Sequence, residues 1–375
     1  MSAPRPTPRP APILDTTEYD IVIVAGQSNA VGRGRRNVCD SRALDGCDSI
    51  DPRKNSTSEG IIDDIADYDS VDGNKVKMFT CEYDNPEIPP GFNNNSTFFR
   101  AHLKKIIPMA EPLDHFVHEY ENQISFASSF ANEYIRRISM GRKKLLIVGC
   151  AASALSIDNW IKNNPSDTDA YHDRTVKRLQ DVKNLLSSTN NSKVVAILWH
   201  QGESNVNTTL SNDNTISESK DAMIHKRKNE FKFKLKRLLS QMRTDIMGIF
   251  INNNSNYKFP ILIGGLSYEI EFNRITGEKY TNITNRDRIR DFSILMSEIS
   301  NPTDRFYLEK SAFVSSYTLY VGGPTYNFNR RLEANIYLDS AGQQIPDKDD
   351  DRIHFSASSM REFGKRYFYY FNLIK

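Results

Sequence analysis

Short apolar runs recur along the chain, separated by segments whose apolar residues return every three or four positions. Ile21 to Ala25 form one such run within Tyr19–Gly26, and Leu145, Leu146, Ile147 and Val148 form another within Lys144–Ala151. Lys193–Trp199 and Pro260–Leu266 repeat the pattern. Runs of this length read as strands buried on both faces. In Lys75–Tyr83, Val76, Met78 and Thr80 alternate, although Phe79 blurs the alternation, and Phe306–Phe313 is a candidate for a further strand. Between these runs the period changes. Phe126, Phe130, Tyr134 and Ile138 predict a helix over 125–138, with Gly141 placed to cap it. Val176, Leu179, Val182 and Leu186 predict a second. A long basic helix is predicted over Ser219–Met242, with Phe231, Leu235 and Leu238 on its apolar face and its lysines on a solvated outer face. Ile289, Phe292, Met296 and Ile299 mark another, and Met360, Phe363, Tyr367 and Phe371 mark the last, over Ser356–Ile374. Strands alternating with amphipathic helices predict an α/β fold, a mostly parallel sheet covered on both faces.

Two long polar stretches interrupt this order. Residues 37–74 and 316–345 read as loop inserts in one domain spanning 19–375. Residues 1–18 begin with a proline-rich segment and read as an extended arm or linker. The composition, 38% hydrophobic and 26% charged, suits a soluble globular protein rich in polar loops. A net charge of +2 supplies no field for nucleic acid. No apolar run approaches a membrane span and no signal core is evident, so the default expectation is a cytoplasmic protein. Cys39, Cys47, Cys81 and Cys150 match no zinc spacing, and neither a metal nor another cofactor is expected. Nothing in the pattern speaks to oligomeric state.

Three polar clusters follow three predicted strands: Gly26-Gln-Ser-Asn29, Cys150–Ser156 and Trp199–Asn205. In a parallel sheet these points share the C-terminal edge, where open α/β sheets bind ligands. A fourth cluster, Asp351-Arg-Ile-His354, directly precedes the last helix. A serine is a poor nucleophile until a base takes its proton. His354 suits that base, and Asp351, three residues earlier, suits the carboxylate that would orient the imidazole. Donors for an oxyanion are available from the Ser28 backbone N–H, a backbone N–H near Ser153 and the Gln201 side chain. Gln27, Asn29, His200 and Glu203 are candidates for substrate binding or support. Each position also has a plainer reading. Ser28 would serve equally as a helix cap. His200 is either a core residue or a substrate contact, and Glu203 either an acid–base group or a brace for the loops. Trp160 and Trp199 either stack on sugar rings or simply pack, and His115 is a candidate for the site edge.

Gly26-Gln-Ser-Asn-Ala30 resembles the first block of the SGNH-type hydrolases, in their sialate O-acetylesterase-like branch, carbohydrate esterase family six. Trp199-His-Gln-Gly-Glu-Ser204 resembles that branch's third block, Asp351-x-x-His354 its last, and Ser156-Ile-Asp-Asn-Trp160 the end of its second. The resemblance implies a three-layer α/β/α fold with a five-stranded parallel sheet. It also implies metal-free removal of acetyl groups from an acetylated carbohydrate. By position, it makes Ser28 the nucleophile, His354 the base, Asp351 its partner and Gln201 the side-chain oxyanion donor. Two departures stand out. Ser153-Ala154 occupies the place of a usual Gly-Gly pair, and Asn205 stands where an aspartate is common. The first departure and the long inserts leave a rival expectation, a catalytically weak carbohydrate-binding or structural module on an esterase frame.

Overall fold

The computed structural model describes residues 14–32, 34–35, 70–80, 104–116, 123–138, 143–161, 170–187, 191–208, 220–250, 257–266, 292–316, 354–355 and 357–375. Within these, β1 (Tyr19–Gly26), β3 (Val76–Thr80), β6 (Lys144–Ala151), β7 (Lys193–His200), β8 (Ile261–Gly264) and β9 (Ser311–Val314) run parallel. The short β4 (Lys105–Pro108) pairs antiparallel with β3 at one edge, giving the order β4-β3-β6-β1-β7-β8-β9. The sheet therefore has seven strands rather than five. β4 has four residues of which only Ile107 is buried, too weak an apolar pattern to register as a strand. A two-residue pairing of β2 (Gly34–Arg35) with β5 (Gln123–Ile124) lies apart from this sheet.

Strand alternation splits the core into two layers. Ile21, Ile23 and Ala25 of β1, with Leu146 and Val148 of β6, face α3 (Ile157–Trp160), α4 (Tyr171–Leu185), α6 (Lys220–Phe250) and α7 (292–299). Val22 and Val24, with Leu145 and Ile147, face α2 (Ala127–Arg137) and α8 (Ala357–Ile374). Burying such side chains on both faces, at roughly 1.5–3 kcal/mol for each large one, is what holds the three layers together.

The basic helix extends past its expected end, because Met242, Ile246 and Phe250 carry its apolar stripe another two turns into the core. Its outer face is not uniformly solvated either. Lys232 is buried between Glu298 and Asp304, and Lys234 reaches Asp158 at 2.6 Å. The strand expected over 306–313 begins only at Ser311. The Asp304 carboxylate accepts the Phe306 N–H at 2.7 Å and holds that stretch in a turn. The end of the expected arm is tied down, since Asp15 exchanges backbone hydrogen bonds with Leu185 and Ser187. Cys39, Cys47, Cys81 and Gly141, and residues 1–13, 37–69 and 317–345 of the expected arm and inserts, lie outside the described residues.

What positions the site is register. Ala25 stands beside both Cys150 and Trp199, and Gly26 beside both Ala151 and His200. The three central strands end level, so the three polar clusters emerge at one edge.

Candidate functional site

β1 ends in a turn that only glycine accommodates. Gly26 has φ +133°, and a Cβ there would lie 1.9 Å from the His200 carbonyl oxygen. The chain thus stays against β7, where the Gln27 N–H donates to that same oxygen at 2.9 Å. One helical turn follows, α1 (Ser28–Val31), with Gln27 as its N-cap and Gly32 ending it at φ 109°. Ser28 is the first residue inside the turn, so it is not the cap. Its backbone N–H donates to nothing among the described residues. Its Oγ lies 2.8 Å from His354 Nε2, although the two residues are 326 positions apart. Ser28 keeps 5% of its surface exposed. Asp351 lies outside the described residues.

Around this pair the first, third and last clusters are joined. The Asn29 amide donates to Glu203 Oε1 at 2.6 Å, and its Oδ1 accepts the Phe355 N–H at 3.1 Å. Glu203 Oε1 also meets His200 Nε2 at 2.9 Å. The Ser204 N–H points to Gln27 Oε1 at 3.4 Å. Glu203, on α5 (Glu203–Thr208), therefore braces the loops, and His200 is a fully buried core residue packed against Phe126, Phe355 and Phe363.

Burial opposes ionisation of Glu203. The adjacent His200 imidazole, with the bonds from His200 and Asn29, more than offsets it and holds the carboxyl below the ordinary glutamate range. A group whose folded pKa is depressed contributes stability above its unfolded pKa of about 4.3 and loses it as pH falls through the lower folded value. Glu203→Gln should therefore cost roughly 1.5–3 kcal/mol at neutral pH. The gap from wild type should narrow on acidification below the normal carboxylate range. Urea unfolding at pH 7 and near pH 3.5 checks this, and an equal gap at both would contradict it.

The second cluster follows β6. The Ala152 N–H donates to Gly26 O at 3.2 Å, and the Ala151 N–H to His115 Nδ1 at 3.1 Å. His115 is fully buried and secures the end of β6 rather than lining a site edge. Ala154 sits in the left-handed region at φ 59°, at the position where the sequence departs from a Gly-Gly pair. Ala154→Gly should relieve that backbone and stabilise the fold by about 0.5–1 kcal/mol. Thermal unfolding checks it, and a lowered Tm would contradict it.

Gln201 sits at 0% exposure, and its Nε2 donates to Leu155 O at 3.2 Å and to Asn205 Oδ1 at 2.6 Å. Asn205 Oδ1 also accepts the Ile157 N–H at 2.9 Å, which fixes the orientation of both amides. Both Gln201 N–H bonds are thus committed within the loops, and Asn205 joins the second cluster to the third. Ser153 is partly buried at the start of this loop.

Trp160 and Trp199 are fully buried and pack edge to face at 4.8 Å, so neither ring is open to a sugar. Burial pushes the Cys150 thiol up to about 11, which leaves it inert at neutral pH. Among the described residues no cluster of three or more His, Cys, Asp or Glu side chains could hold a metal ion. No helix there is long and apolar enough to cross a membrane.

Some supports escaped the sequence reading. The Tyr367 hydroxyl donates to Trp199 O at 2.8 Å and fills the space where a Cβ on Gly264 would sit, 2.1 Å from that hydroxyl. Arg178 is buried and donates to the carbonyls of Asp114, Gly149 and His115. Tyr367 lay on a helix stripe that read as ordinary core, and an arginine beside Leu179 carried no mark of burial.

Residues 82–269, half of the chain, match the family model described as carbohydrate esterase, sialic acid-specific acetylesterase. The match contains the second and third clusters but neither Ser28 nor His354. A solved protein from Arabidopsis thaliana aligns with TM-score 0.51 at 16% identity, covering 96% of this chain and 100% of that one. NanS aligns with TM-score 0.48 at 15% identity, covering 96% and 98%. A carbohydrate acetylesterase from Xanthomonas citri aligns with TM-score 0.40 at 12% identity, covering 83% and 53%. At such identities the Arabidopsis likeness speaks for the α/β fold alone. No curated protein sequence matches the chain.

Proposed function

Since the chain belongs to the sialic acid-specific acetylesterase family of carbohydrate esterases, and so to the carbohydrate O-acetylesterases, we propose that Ser28 and His354 perform its chemistry through an acetyl-enzyme. The substrate we assign is sialic acid or another glycan carrying an O-acetyl group. The observation that supports this most directly is the 2.8 Å contact between Ser28 Oγ and His354 Nε2, the reach a nucleophile and its base require.

In the first half-reaction Ser28 Oγ attacks the acetyl carbonyl carbon while its proton passes to His354 Nε2. The Ser28 N–H, without a partner among the described residues, would meet the oxyanion, together with a backbone N–H near Ser153. Gln201 would join as a donor only by leaving Asn205 or Leu155. As the intermediate collapses, the bond to the sugar oxygen breaks and His354 returns the proton to that oxygen. Water then attacks the acetyl-serine, again deprotonated by His354. Acetate leaves, and Ser28 recovers its proton. Asp351, three residues before His354, is assigned to the other imidazole nitrogen, where it would stabilise the imidazolium.

The test combines two readouts on one preparation. Wild type is expected to release acetate from an O-acetylated sialic acid, and a serine-directed fluorophosphonate is expected to label Ser28. Label on another residue, or turnover that survives complete labelling, would overturn the assignment.

A further inference from the structure

Asn29 follows the proposed nucleophile directly and is fully buried. Both ends of its carboxamide are used: Oδ1 accepts the Phe355 N–H at 3.1 Å and Nδ2 donates to Glu203 Oε1 at 2.6 Å. This settles the orientation of the amide, because an N–H needs oxygen on one side and a carboxylate needs NH₂ on the other. Phe355, in turn, directly follows His354. Two adjacent residues on α1 therefore bond two adjacent residues of the C-terminal segment, Ser28 to His354 and Asn29 to Phe355. The Ser28 contact reaches only the tip of the imidazole and does not by itself fix the backbone that carries it. The second, one residue along, fixes the separation of the two segments. The Phe355 ring adds to this by packing on His200 at 5.7 Å and Phe363 at 5.2 Å.

We infer that Asn29 is a positioning residue for His354: it holds the base in reach of Ser28 by anchoring the Phe355 backbone, and Glu203 holds Asn29 in turn. This rests on the assignment of Ser28 and His354 made above. Asn29 is too deeply buried to meet substrate, so its effect should fall on kcat and leave KM nearly unchanged.

The test compares wild type, Ser28→Ala, Asn29→Ala and Asn29→Asp, each with kcat and KM for acetyl release, the rate of fluorophosphonate labelling and a thermal melt. Loss of the anchor in Asn29→Ala should lower kcat about 10²-fold, the scale of a misplacement near 1 Å. Labelling should slow comparably, KM should stay within about twofold and the melt should remain cooperative. Asn29→Asp is close to an isostere. When its carboxyl and Glu203 share one proton, an O–H bridges them while the other oxygen still accepts the Phe355 N–H. Among the described residues, the charged or titratable groups facing this pair are His200 from the end of β7, His354 from the C-terminal segment and Tyr367 from α8. A His200 cation would favour losing the shared proton and shift the change to lower pH. The ratio of Asn29→Asp activity to wild-type activity at the same pH should therefore rise on acidification. The ratio for Asn29→Ala should stay flat.

Unimpaired kcat in Asn29→Ala, a loss confined to KM, or a pH-independent ratio for Asn29→Asp would each overturn the inference. Should Asn29→Ala fail to melt cooperatively, the Asn29→Asp ratio decides alone. Ser28→Ala separates the two levels. If it turns over like wild type, the assignment of the nucleophile falls and the inference with it. If it is inactive while Asn29→Ala is unimpaired, only the positioning role is lost.

Discussion

Ser28→Ala is expected to lower kcat for acetyl release by about 10⁴-fold or more, and His354→Ala by a comparable factor. Neither group has a task without the other: an alcohol without its base is a poor nucleophile, and the base without the alcohol can only assist water. The double variant should therefore be scarcely slower than either single one, whereas two independent contributions would multiply. The fold should be little affected. Ser28 caps no helix, and among the described residues its Oγ bonds only His354, so its removal costs on the order of 1 kcal/mol at most. Steady-state kinetics on the two single variants and the double, with a melt for each, checks this. Losses that multiply, or a Ser28→Ala enzyme at full rate, would show that these residues do not act as a unit.

Gly26→Ala should be the most damaging single methyl in the described structure. The new Cβ would stand 1.9 Å from the His200 carbonyl oxygen and 2.9 Å from its nitrogen, both backbone atoms of the neighbouring central strand. No side-chain rotation relieves such a contact. The position also has φ +133°, which a residue with a Cβ rarely adopts. Backbone strain of about 1–3 kcal/mol and overpacking of similar size together predict a loss of roughly 3–5 kcal/mol. Because β1 and β7 would have to part where Gln27 N–H meets His200 O, Ser28 would shift with them, and any protein that still folds should lose most of its activity. Chemical denaturation and the residual kcat together report both effects. A variant with wild-type stability would mean that the strand ends can separate freely, contrary to the register in which Gly26 stands beside both Ala151 and His200.

The central strands were legible because they are buried on both faces. Ile21 to Ala25 and Leu145 to Val148 need no partner to declare themselves, and the apolar repeats of α2, α4 and α8 are as plain. What escaped was weak locally or decided by a neighbour. β4 has four residues and little burial. The 306–310 stretch is apolar enough for a strand, yet Asp304 bends it into a turn. Lys232 is charged and still buried, because Glu298 and Asp304 arrive from another part of the chain to pair with it. In the site, the residue types at the sheet edge were readable from their place after each strand. Their partners were not. Gln201 has the right chemistry for an oxyanion donor, but Asn205 and Leu155 engage its amide. Nothing in the string of residues marks Phe355, whose contribution is a backbone N–H.

The amino-acid order alone determined which segments become strand or helix, where the first turn must hold glycine, and that a serine, a histidine and several amides would gather at one end of the sheet. Those properties follow from burial and periodicity over a few neighbouring residues. Only the folded chain decided that Ser28 meets His354 at 2.8 Å, that Asn29 faces both Glu203 and Phe355, and that Ala154 takes a left-handed backbone. Hydrogen bonds act over tenths of an ångström between groups up to 326 residues apart, and that precision is set by how the layers pack rather than by any local pattern.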